Sequence, residues 1–242
     1  MTKTIAAAFL ATGLITIGAA PAGAQPAPTK NIFIDANFGT QPTSGTFTIS
    51  AAPIVYGETA PITSTQPFSG APFLDVSGGY RVWRDLSVGL ALTTTFSSTS
   101  SATVIAGIPS PIFFDRRVST TIVLTDLERK ERTAHLVVQW TTPVSDKVDA
   151  SIMAGPSYVK VFQDLVQGVT VAAGTQTPTA TADTQTATAI GFHFGGDLTF
   201  LLRPKIGVGG MFRYVKATVD LPASPDMKAG GIQLGGGLRI RF

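Results

Sequence analysis

An alternation of apolar and polar residues, held on even-numbered positions through eight separate stretches, constrains this chain more than any other feature. In "NIFIDANFG", Ile32, Ile34, Ala36 and Phe38 fall on one side, and Asp35 and Asn37 on the other. The same split returns in "APFLDVSGGYRV", "LSVGLALTTTF", "AHLVVQWTTPV", "VDASIMAGPSY", "IGFHFGGDLTFLL", "IGVGGMFRY" and "GIQLGGGLRIRF". Two is the side-chain period of a strand. Each stretch is therefore expected to be a strand with one bulky apolar face and one face of glycine and small polar groups. Helix signals are nearly absent beyond residue 25, and 25 glycines with 16 prolines suit strands joined by turns.

The connections alternate too. "WRD" (83–85), "SDK" (145–147) and "RPK" (203–205) are very short, whereas residues 40–70, 97–133, 163–187 and 220–230 read as long polar loops. Strands of about nine to thirteen residues suit a tilted crossing of a bilayer. The expected fold is all-β: a closed antiparallel up-and-down transmembrane β-barrel of eight strands, with short periplasmic turns and long extracellular loops. A ten-stranded version is the alternative, adding "TFTISAAPIVYG" (46–57) and the run at 116–133. A soluble periplasmic β protein would also alternate, but its solvent face should carry more charge than the sparse Asp, Arg and His seen here.

Composition narrows the function classes. The chain is 44% hydrophobic and 14% charged, with a net charge of +3 and no cysteine. Its charges are scattered, without a basic block beside stacking aromatics, so nucleic acid is not an expected partner. The start of the chain, with Lys3, an uncharged run from Ile5 to Ala20 and Ala22-Gly23-Ala24, has the parts of a signal peptide. Residues 1–24 are read as that leader, 25–30 as a short periplasmic segment, and 31–242 as the barrel domain.

On the odd-numbered face, Asp35, Asp75, Arg81, His135, Asp149, His193, Asp197, Arg213, Arg239 and Arg241 are expected to meet as a polar network in the lumen. Acids and arginines enclosed together are tolerated when paired and hydrogen-bonded. On the other face, Tyr80, Trp83, Trp140 and Phe242 fall near the short turns, and Phe96, Tyr158, Phe192 and Tyr214 near the long loops. Two aromatic girdles are the arrangement that both bilayer interfaces favour. No catalytic residue, cofactor or metal site is assigned: two histidines on separate strands without an acid-rich motif make a poor metal site.

With these features in place, most of residues 31–242 resembles the small outer-membrane β-barrel family of Gram-negative bacteria, the eight-stranded porin-like and opacity-protein type. The likeness rests on the leader, the turn-and-loop rhythm and the last strand, ending Leu238, Ile240, Phe242. It implies that these three residues are the signal read by the barrel-assembly machinery. It also implies outer-membrane lipid and lipopolysaccharide as surroundings. Lipid A deacylases of similar barrels carry a serine two residues from a histidine; here those positions hold Val137 and Gly195, so no enzyme is expected. The expected function is a surface or structural protein with a largely side-chain-filled polar lumen. The alternatives are a narrow channel for small solutes and an adhesin whose long loops bind a host or surface ligand.

Overall fold

The computed structural model describes residues 31–221 and 224–242. The expected leader and the segment 25–30 lie outside the described residues. Thirteen strands occur among those described: β1 Ile32–Gln41, β2 Gly45–Ala51, β3 Ile54–Val55, β4 Glu58–Thr59, β5 Ile62–Phe68, β6 Ala71–Trp83, β7 Leu86–Thr95, β8 Ser98–Pro109, β9 Arg117–Ser145, β10 Val148–Val171, β11 Pro178–Arg203, β12 Ile206–Leu221 and β13 Ser224–Arg241.

Eight of these strands are joined by a cycle of antiparallel pairings, in the order β1, β6, β7, β9, β10, β11, β12, β13 and back to β1. Each ring strand thus finds backbone partners on both sides. The first and last described strands meet in this ring, where the Phe242 N–H donates to Ile32 O at 2.9 Å and the Ile32 N–H to Phe242 O at 3.3 Å. Turns at 84–85, 146–147 and 204–205 reverse the chain at one end. Within the ring the odd-numbered side chains are enclosed, among them Phe33, Asp35, Asn37, Thr93, His135, Gln139, Met211 and Arg213. The even-numbered ones, such as Ile34, Leu90, Leu92, Ile152, Leu198 and Leu234, are exposed.

The expectation of a closed antiparallel eight-stranded barrel with long loops is corrected: the eight-strand ring is partial and does not close into a barrel. The ring is one part of an eleven-stranded sheet that runs on from β9 through β8 and β5 to β2. The stretches read as loops are mostly strand, and β9, β10 and β11 reach 29, 24 and 26 residues. The ring pairings stop part-way up: β1 leaves β13 after Thr40↔Leu234, and β9 leaves β10 after Arg129↔Gln163. Gly230 (φ 83°) and Gly231 (φ 134°) bend β13 just beyond the first of these points, and a side chain at Gly231 would collide with Thr43. Positive φ of this kind is freely available only to glycine.

Beyond those points the wall becomes two layers. The sheet β9-β8-β5-β2 faces the β10–β11 hairpin across an apolar cluster containing Ile62, Ala102, Val104, Ile108, Leu127 and Val166. Buried positions in β5 and β8 are even-numbered, the reverse of the ring. Within β9 the parity switches where the register with β8 shifts, from odd at Leu127 to even at Leu124 and Ile122, as expected where a bulge re-aims side chains. The ten-stranded alternative is not realised either. Residues 46–57 form β2 and β3 outside the ring, and 116–133 is the upper part of β9.

Candidate functional site, the polar interior of the ring

Eight strands direct their odd-numbered side chains into one enclosed space, which is filled in layers. At the turn end lies a cavity of about 380 Å³ lined by Arg81, Asp85, Ser87, Gln139, Thr141, Asp149 and Arg241, among others. Arg81 and Asp149 are half-buried there. One step inward, Arg241 Nη1 donates to Asp35 Oδ1 at 2.6 Å, and Arg239 binds Asp197 through Nε and Nη2. β1 and β13 place Asp35 directly opposite Arg239, so the two strands that complete the ring are also joined by charge.

The next layer centres on Asp75. Its carboxylate accepts from Arg213 Nη1 at 2.7 Å, from Thr93 Oγ1 at 2.7 Å and from Asn37 Nδ2 at 3.1 Å. Thr93 Oγ1 lies 3.3 Å from His135 Nε2. Ser157 Oγ then bridges His135 Nδ1 at 2.8 Å and His193 Nδ1 at 2.9 Å, and the two rings meet edge to face at 4.7 Å. A hydroxyl has one proton to give, so at least one of these imidazoles donates from Nδ1. Seven strands supply the layer (β1, β6, β7, β9, β10, β11 and β12), and their side chains converge on a single hydrogen-bonded unit.

Val159, Val161 and Val215 separate it from a third layer. There Arg129 binds Glu131 and Gln163, Glu131 accepts from Gln41 Nε2 and the Gly230 N–H at 3.1 Å each, and Gln233 donates to Gln41 at 2.9 Å. The guanidinium of Arg129 sits 4.5 Å from the Phe68 ring centre. Phe68 stacks on Phe47 of β2 at 4.7 Å. Phe47 belongs to the apolar cluster with Leu165, Val219 and Met227, so β2 covers the far mouth of the ring. Beside the two upper polar layers the cavities measure about 10 Å³ each, room for about one water at most.

The structure therefore gathers eight of the ten polar residues singled out from sequence into two ion-paired layers, and places Arg81 and Asp149 at the open end. Sequence reading missed Ser157, Thr93, Gln41, Arg129, Glu131, Gln163 and Gln233. Odd parity alone could have found Ser157 and Thr93, since both continue the enclosed face of their strands.

On the outer face, Tyr80 lies opposite Ile32, the hydrogen-bonding partner of Phe242. Trp83 and Trp140 both lie opposite Leu86, which puts them at one level near the turns. Phe96, Tyr158 and Phe192 are exposed farther along, with Phe96 against Phe38 at 6.3 Å. Tyr214 is half-buried and packs on Phe194 at 5.3 Å. Just beyond this row Arg132 stands directly opposite Lys160, and both approach the Phe162 ring, at 5.5 and 5.0 Å.

No protein-family model matches the chain, and no curated protein matches it in sequence. Solved structures do share its β-rich fold. Neisserial surface protein A is 14% identical with a TM-score of 0.42, the match covering 87% of this chain and 97% of that one. OprG, an outer membrane protein from Pseudomonas aeruginosa, is 11% identical with a TM-score of 0.45, covering 88% and 96%. The outer membrane protease OmpT from Escherichia coli is 10% identical with a TM-score of 0.44, covering 89% and 97%. At these scores the likeness describes architecture alone, and no functional argument rests on it.

Proposed function

We propose that this is an outer-membrane protein of a Gram-negative bacterium with a structural or surface role, its even-numbered face against lipid and its interior filled by side chains. The observation that carries this reading is the inverted distribution of polarity. Paired ions and histidines occupy the inside of the ring, while Leu, Ile, Val and Phe predominate on its outward face. A water-soluble protein rarely leaves more than a few hundred Å² of contiguous apolar surface uncovered. Lipid favours backbone groups that are satisfied internally, and over the span of the ring pairings each strand has a partner on both sides. The outward pair Arg132 and Lys160 supports the same placement. Like charges directly opposite are unfavourable in a sheet, and anionic headgroups such as the phosphates of lipopolysaccharide at that level would relieve them. Recovery in the outer-membrane fraction, with migration on gels that shifts on boiling, is the expected result; a chain released entirely with the soluble periplasm would sink the proposal.

Ser157, His135, Thr93 and Asp75 have residue types found in acyl-transfer relays. All four are buried with no cavity for a substrate beside them, so the reading here is a strand-joining cluster and not an enzyme. The same filling argues against a solute channel. In planar bilayers the refolded protein is expected to give no stable unitary conductance steps, and reproducible steps would overturn the filled-interior reading.

Phe242 is proposed to act in assembly. Deleting it removes both backbone hydrogen bonds to Ile32 at the junction of the first and last strands. The expected result is a clear fall in outer-membrane yield in cells with unfolded chain accumulating, whereas undiminished yield would reject that role.

A further inference from the structure

The far end of the molecule carries a small apolar prong that no cluster of the fold absorbs. The turn between β8 and β9, "SPIFFDR" (110–116), leaves Ile112 81%, Phe113 58% and Phe114 78% exposed, and Ile54 of β3, in the neighbouring β3–β4 hairpin, is 69% exposed. This tip is braced. The Ile112 and Phe113 N–H groups donate to Ser110 Oγ at 3.3 and 3.1 Å, and the Ser110 N–H to Arg116 O at 2.7 Å. The Asp115 N–H donates to Glu58 Oε1 at 3.1 Å, tying the β8–β9 turn to β4. Tyr56 in turn contacts the carbonyls of Ala172 and Thr175, and Gln176 Nε2 donates to Ile108 O at 3.0 Å, so the β10–β11 turn is laced to the same tip. Three turns hold three large apolar side chains out into water.

We propose that Ile112, Phe113 and Phe114 insert into the interfacial layer of a zwitterionic phospholipid bilayer apposed to the membrane in which the protein resides. The proposal rests on the outer-membrane reading above. The edge of that belt lies below the tip by up to about 50 Å along β9, at roughly 3.3 Å per residue from Arg132, just beyond the outer aromatic row, to Arg117. Glu128, Lys130 and Arg132 intervene on the outward face, so the prong does not reach its own bilayer.

Area and charge select the occupant. Aromatic side chains bury about 150–250 Å² each, so the exposed part of the three residues is on the order of 400 Å². A stable protein partner needs about 800 Å² from each side. A convex prong of this size suits partial entry into a bilayer interface, where apolar and aromatic residues are favoured. Around it, Arg117 faces Glu58 at 3.9 Å, and Arg116 lies over Phe113 at 5.4 Å with Asp115 beside it in the turn. The charges balance, which commits the target to a zwitterionic surface such as phosphatidylcholine.

The test uses the full chain reconstituted in donor vesicles, mixed with phosphatidylcholine acceptor vesicles whose acyl chains carry bromine. Capture of acceptor vesicles is expected, unchanged between about 0.05 and 0.5 M salt, and the Phe114→Trp variant should be quenched by the acceptor lipid. The Phe113→Ser/Phe114→Ser variant, whose changes lie outside both apolar clusters, should keep its fold yet lose capture about tenfold or more. Bromine in the donor bilayer reads Trp83 and Trp140 separately and so checks the placement of the ring itself. If those tryptophans are quenched and acceptor vesicles are not captured, the tip proposal falls while the membrane reading stands. Capture that survives the double serine variant, or that salt abolishes, overturns it as well. Failure to quench the two native tryptophans instead removes the outer-membrane reading on which it rests.

Discussion

Replacing Arg213 with alanine is expected to lower the stability of the refolded protein by about 3–5 kcal/mol, the loss typical of breaking a buried ion pair from one side. Arg213 is 1% exposed, and its guanidinium binds both Asp75 and Thr93. Without it, the Asp75 carboxylate keeps only Asn37 and Thr93 and stays enclosed between β6, β7 and β12. Denaturant unfolding in lipid vesicles measures the effect as a fall in the midpoint. Adding Asp75→Asn to Arg213→Ala removes the stranded charge and should restore part of the loss, because the penalty belongs to the uncompensated carboxylate more than to the missing contact. A single-variant loss within a few tenths of a kcal/mol would show that the interior is hydrated, contrary to the filled-interior reading.

The second large effect lies on the opposite face. Leu90, 63% exposed near the middle of β7, sits opposite Leu136 and Gly78. If this face meets hydrocarbon, Leu90→Arg should destabilise by about 2–4 kcal/mol, whereas Val144→Arg beside the turn should cost about 0–1, as charges do near an interface. In water the ranking disappears, because arginine at an exposed strand position is nearly neutral or improves solubility. Equal and small effects at both positions would therefore remove the lipid-facing assignment. Comparing the two variants cancels the intrinsic difference between leucine, valine and arginine in a strand to first order.

How much of this was legible in the residues depends on which half of the molecule is considered. In the ring, large aliphatic residues alternate with Asp, Asn and Gly, and one face must be apolar throughout, so parity alone separates Asp35 from Ile34 and Arg239 from Leu238. The far half hides its strands. "TFTIS", "SATVIAGI" and "TQTATAI" alternate threonine or serine with small apolar residues, a pattern close to that of a polar loop. Their apolar positions become a core only when two layers meet, a long-range event that no local window reports. The third polar layer was missed for the same reason: Gln41, Arg129, Glu131 and Gln163 lie where the reading placed loops. Ser157 was hidden differently. It is one small polar residue among many on the enclosed face, and its meaning comes from His135 and His193 on neighbouring strands.

The meeting of Ile32 with Phe242 carries a consequence for how the chain reaches this state. Strand β1 cannot find its second partner until β13, far along the sequence, is in place beside it. Until then β1 has an unpaired edge. Such an intermediate resembles the open-edged species that aggregate during slow, long-range β folding. Productive folding therefore turns on a long-range pairing between β1 and β13, the first and last of the described strands. Order along the sequence and order of pairing are uncoupled here, because the first of the described strands is among the last to be fully paired.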